Sequence, residues 1–196
     1  VLALEAQLAT RLEKRSGIDP VLSPLLQALI ASDEAPVAST AMAALAAQAR
    51  FVQQQRRMEL PVEELPADLF DRVIASWFAT LEDSAAEPAN AAASVLRRGY
   101  DESTSRLGLL ARLVAGMGAG MHAALSLSHA GPGLFLSALA TASRQDRGLI
   151  VLATNERQLA RLALALRAAG LKPREVEEQF LHLHPGMTLP EGFDML

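Results

Sequence analysis

The sequence contains no cysteine. Disulfide frameworks, thiol nucleophiles and cysteine-ligated zinc are thereby excluded. Aromatic residues are scarce, at 4% of 196 residues, whereas hydrophobic residues reach 51%. The core must therefore be built from Leu, Ala, Val and Met. Ala and Leu are strong helix formers, and strand-favouring β-branched and aromatic residues are few. A basic excess is also missing. The formal net charge is −4; residues 1–86 carry 7 basic and 12 acidic side chains, and residues 87–196 carry 11 and 10. Neither half has the cationic balance that neutralises phosphates, so nucleic acid is not an expected partner.

Charge is absent altogether from residues 113–143. That stretch exceeds the length of a bilayer-spanning helix, but "SLSHAGPG" interrupts it with serines, a histidine, glycines and a proline. Each flanking piece is too short to span. The expectation is two buried core helices joined by a turn, and no membrane partner. The N-terminus, "VLALEAQLATRLEKR", is charged throughout and does not read as a signal peptide, which makes the cytoplasm the expected compartment. Val1 in place of Met leaves room for preceding residues.

What is present is helical periodicity. A first helix is expected near 3–15, stopped by Gly17, and a second near 21–31. Ser32 or Asp33 can cap a third, with Glu34 and Pro36 in its first turn and Val37, Ala41, Ala44, Leu45 and Gln48 along one face. This short-helix, turn, longer-helix unit resembles a HEAT repeat. Pro61 and Pro66 break the pattern. Residues 68–81 resume it, with Leu69, Val73, Trp77 and Leu81 on a common side. The polar, proline-containing stretch 82–90 is the best linker candidate. Beyond it, helices are expected near 91–98, from Asp101 or Ser103 to about 125, and from Pro132 to about 143. "RQDRGLIVLAT" has no second β-run to pair with and reads as helix. A further helix from Asn155 and Gln158 closes at Gly170, and Pro173 opens one carrying Val176, Phe180 and Leu183. The tail from His184 reads as irregular.

Gly116, Gly118 and Gly120 raise the question of a phosphate loop. A dinucleotide fingerprint needs G-x-G-x-x-G between a strand and a helix, but the sixth position is Met121. Leu107, Leu110, Val114, Met117 and Met121 recur at three and four residues and carry a helix through the glycines. Each glycine costs roughly 1 kcal/mol there relative to alanine. Close helix packing along Gly116, Gly120 and Ala123 is the expected compensation, with Gly120 facing a neighbour at short range. No P-loop occurs.

The four histidines offer no metal site. His182 and His184 lie two apart, and no pair has the i, i+4 spacing of a helical zinc ligand set. His122 sits among small residues that leave its ring accessible. Histidine-phosphotransfer domains place a reactive histidine on a bundle helix, often followed by lysine, whereas here Ala123, Ala124 and Leu125 follow. There is no G-x-S-x-G elbow and no readable triad. Glu63 and Glu64 read as a solvated turn, and Glu175, Glu177 and Glu178 as a polar helix face. Arg157 and Arg161, one turn apart, suit an acidic partner, a phosphate or a solvated face.

Two segments carry a family likeness. "FVQQQRRMELPVEELPADLFD" (51–71) and "GPGLFLSALATASRQDRGLIVLATNERQLARLALALRAAGL" (131–171) resemble the bacterial, mainly alphaproteobacterial, family known as domain of unknown function 2336. The resemblance implies a mostly helical protein. It implies no activity and carries over no catalytic residue.

The expectation is thus an all-α fold. Residues 1–86 form a HEAT-like helical layer and 87–196 a compact helical array or bundle, two halves that also suit one continuous domain. The expected function is non-enzymatic, a protein–protein interaction adaptor or regulatory module with another protein as partner, and a homo-oligomer is left open. No catalytic residue, cofactor or metal is expected. The alternative is a histidine-phosphotransfer-like signalling protein using His122. A third reading, small-ligand binding between helices, rests on Met117, Met121 and the glycines.

Overall fold

The computed structural model describes residues 1–82 and 85–186. It is all-α, and the described residues contain no strand. Helix α1 (Leu2–Ser16) buries Leu8, Ala9 and Leu12 on one stripe and ends where Gly17 turns left-handed, at φ 64°. Helix α2 (Pro24–Ile30) starts on Ser23, whose Oγ accepts the Leu26 N–H, and on Pro24, whose fixed φ suits a first turn. Helix α3 (Ala35–Arg57) places Pro36 in its first turn and buries Ala41, Ala44, Ala47, Gln48 and Phe51. The alanines at spacings of three leave a smooth face on which α6 packs.

Helices α4 (Ala67–Phe78) and α5 (Ala86–Gly99) form a separate small cluster of Leu65, Phe70, Ile74 and Ala93. The face of α4 differs from the expected one. Phe70 and Ile74 are buried, whereas Leu69 and Val73 are exposed. Tyr100 decides this: its ring stacks on Phe70 at 4.1 Å and its hydroxyl donates to the Leu65 carbonyl at 2.7 Å. The linker expected at 82–90 is also shorter, because α5 already begins at Ala86; residues 83 and 84 lie outside the described residues.

Helix α6 (Arg106–Gly116) is capped by Ser105, whose Oγ accepts the Gly108 N–H. It does not continue to 125. The chain bends by 120° and proceeds as a 3-10 helix, Gly118–Leu125. Gly118 takes φ +50°, a conformation that side chains rarely adopt, and so ends the α-helix that apolar spacing alone would have continued. The packing expected of the glycines fails with it. Gly116 and Gly120 are exposed, and a Cβ added to either meets nothing within 4 Å. The glycine of α6 that does face a close neighbour is Gly108, where a Cβ would press on the Glu102 carbonyl oxygen and lie 2.9 Å from Ser103 Cα.

Helix α7 (Leu127–Ser143) is the hub. It breaks at Gly131 (φ 70°, ψ 166°), so Pro132 opens its second segment as the sequence suggests. Residues 130–140 are buried without interruption. Helices α1, α2, α6, α8 (Arg147–Ala153), α9 (Leu159–Ala168) and α10 (Pro173–Leu183) all contact it. The main apolar cluster runs from Leu8 to Leu183 and crosses the 86/87 boundary. Among the described residues no single helix is long and apolar enough to cross a membrane.

Candidate functional site

Three helix beginnings meet at one buried carboxylate. Glu5 lies in the first turn of α1, Arg106 opens α6 and Arg147 opens α8. Arg106 binds Glu5 through both oxygens, Nη1 to Oε1 at 2.8 Å and Nη2 to Oε2 at 3.1 Å. Arg147 does the same, Nη1 to Oε2 at 2.8 Å and Nη2 to Oε1 at 2.7 Å. Further contacts extend the network. Arg106 donates to Gln48 Oε1 at 3.2 Å and lies 3.8 Å over the Phe51 ring, and Arg147 Nε donates to Ser137 Oγ at 3.0 Å. Gln48 in turn donates to the Pro20 carbonyl at 2.9 Å.

Burial opposes charge on Glu5, yet the Arg106 guanidinium and then that of Arg147 outweigh it and hold the carboxyl well below the usual carboxylate range. Glu5 is therefore ionised at every physiological pH and is no proton donor. The network is a clamp of bidentate pairs that ties α1, α3, α6, α7 and α8 together. None of its three charged members is a residue that the sequence singles out. One signal was available: Arg106 and Arg147 directly follow the caps Ser105 and Asp146, where a helix dipole disfavours a cation. A cation at such a place needs a nearby anion. Glu64 is corrected as well. It is not merely part of a solvated turn, because its Oε2 accepts the Arg106 backbone N–H at 2.8 Å.

His122 lies on the exposed 3-10 helix rather than on an α-helix of a bundle. Its side chain is 61% exposed, and its Nε2 lies 3.1 Å from Glu175 Oε1. Glu175 also accepts the Lys172 N–H at 2.7 Å, and that bond first, then His122, holds its carboxyl below the ordinary value. Glu177 and Glu178 are exposed, as expected of a polar face. Arg157 and Arg161 are exposed too, but on different elements, a 3-10 turn and α9. His184 is buried and His182 half-buried, so they do not converge. Among the described residues no three His, Asp or Glu side chains gather as metal ligands.

Several concavities mark the surface of the described residues. A groove of about 640 Å³ runs between α1 and α3, lined by Ala6, Thr10, Val52, Gln55 and Met58 among others. A pocket of about 190 Å³ lies between α2, α3 and the end of α6, and its lining includes Gly116 and Met117. Met121, the third element of the small-ligand reading, is not part of that lining. A cavity of about 120 Å³ separates α1 from the end of α8. Compared with protein-family models, with curated proteins and with solved structures, the chain matches none.

Proposed function

We propose that this chain is a protein–protein interaction module, an adaptor or regulator rather than an enzyme, acting in the bacterial cytoplasm. The observation that carries the reading is the α1–α3 groove. At about 640 Å³ it is several times larger than the other two concavities described, and Met58 stands at its end 95% exposed. An apolar side chain so displayed, beside small residues that admit a partner's side chains, is what an interaction surface offers. The α2–α3 pair as one HEAT-like unit and the likeness to domain of unknown function 2336 belong to the same proposal. The test is affinity capture from the native host with the wild-type chain and with Val52→Glu. A partner held by the wild type and lost from a Val52→Glu protein that melts normally supports the reading. A partner retained by Val52→Glu contradicts it.

The alternative is phosphoryl transfer through His122, which its exposure favours. A phosphorylated receiver domain and a phosphohistidine assay test it. An acid-labile label lost in His122→Ala supports it, and no label removes it.

A further inference from the structure

The three ion pairs among the described residues are Arg106–Glu5, Arg147–Glu5 and His122–Glu175. Arg11 belongs to none of them, although its Nε–H is buried and has no hydrogen-bond partner. Arg11 is one of the residues lining the 120 Å³ cavity between α1 and the end of α8. The cavity has two chemical sides. Leu4 and Leu8 on α1 and Val151 on α8 are apolar; Arg11, Asn155 and Glu156 are polar or charged. Directly behind the wall lies a second orphan. The buried His184 ring lies within electrostatic range of Arg11 and Glu156 and keeps its Nε2 without a hydrogen-bond partner.

We propose that this cavity is a binding site for a small aliphatic amino acid, its carboxylate held by Arg11 and its ammonium group by Glu156. The size fits. A water needs on the order of 10–15 Å³ of such space, so the cavity takes several waters or one ligand of a few heavy atoms. The chemistry fits as well. A guanidinium fork matches a carboxylate bidentately through its terminal amino groups. Elsewhere in this molecule each buried guanidinium of the central clamp already has its carboxylate in Glu5. Glu156 selects within the class: a lone carboxylate meets its repulsion, whereas an amino acid places an ammonium group there. Leu4, Leu8 and Val151 receive the aliphatic side chain. Asn155 spends its Oδ1 on the Arg157 N–H, and its amide N–H groups are donors for the same carboxylate. The site borders the α1–α3 groove at Gln7, which lines both, but its charged residues are its own and it stands whether or not that groove binds a protein.

The test is calorimetric titration of the full chain with 2-aminobutyrate, butyrate and butylamine, four-carbon compounds that carry both charges, the carboxylate alone and the ammonium alone. Saturable binding of 2-aminobutyrate, with butyrate and butylamine each weaker by about tenfold or more, is the expected result, since each lacks one charge-assisted contact. Arg11→Gln is expected to weaken 2-aminobutyrate by at least about tenfold, as the loss of a charged hydrogen-bond pair does. Glu156→Gln is expected to weaken 2-aminobutyrate and to strengthen butyrate, a reversal that a merely structural role would not produce. No heat with 2-aminobutyrate at millimolar concentrations overturns the proposal. So does binding that is indifferent to Glu156→Gln, which remains informative even if Arg11→Gln fails to fold.

Discussion

At the scale of single residues, Glu5 is the most consequential side chain. It alone offsets two guanidiniums, and Arg106 is almost wholly buried with it. Glu5→Gln is expected to lower the unfolding free energy by about 3–5 kcal/mol, as breaking a buried ion pair from one side does. Denaturant unfolding at neutral pH reads this directly. The pH dependence has a definite sign. The folded-state pKa of Glu5 is depressed, so its stabilisation is fully present above the ordinary value of 4.5. As pH falls below that value the unfolded chain takes up a proton that the folded chain refuses, and stability declines. Unfolding curves between neutrality and strong acid are expected to slope less steeply in Glu5→Gln. Glycine gives a second residue-level contrast. Gly120→Ala adds a methyl group to open space and is expected to be neutral or to stabilise by up to about 1 kcal/mol. Gly108→Ala drives a methyl group against the Glu102 and Ser103 backbone and is expected to cost about 1–3 kcal/mol or more. Thermal melting of the two variants beside wild type checks both signs.

At the scale of elements, the satellite formed by α4, α5 and Tyr100 is held by few contacts. Tyr100→Phe keeps the stack on Phe70 but removes the bond to the Leu65 carbonyl, and is expected to cost about 1 kcal/mol. Amides of α4 and α5 are expected to exchange faster than those of α7, whose residues 130–140 are wholly buried. Hydrogen exchange measured by mass spectrometry compares them in one experiment. The elements were legible in the sequence wherever a local device starts or stops them. Gly17, Pro36, Gly170 and Pro173 act within a few residues, and each stands at the helix end where its chemistry puts it, whereas the cap Ser23 starts α2 later than the expected 21. The apolar spacing of Leu110, Val114, Met117 and Met121 misled because it reports only which residues would share a face if the helix continued. Gly118 stops it through a positive φ, which spacing does not encode. The face of α4 was illegible for another reason: Leu69 and Phe70 open two adjacent apolar stripes, and Tyr100 selects between them from thirty residues away in the chain.

At the scale of the whole molecule, one helix organises the rest. Helix α7 supplies the buried centre, six other helices pack on it, and the clamp around Glu5 joins five helices. That clamp could not be read from sequence, because Glu5 meets Arg106 across 101 residues and Arg147 across 142. The unpartnered Nε of Arg11 is similar: it is visible only once its neighbours are in place. The interaction reading, by contrast, rests on the groove left open between α1 and α3. Its most direct test is photo-crosslinking in the native host from a benzophenone amino acid at position 52, in the groove, with position 181, an exposed leucine on α10, as the control. A discrete crosslinked partner from position 52 that is absent from position 181 is the expected result. No crosslink from position 52, or the same set of products from both positions, would contradict the account.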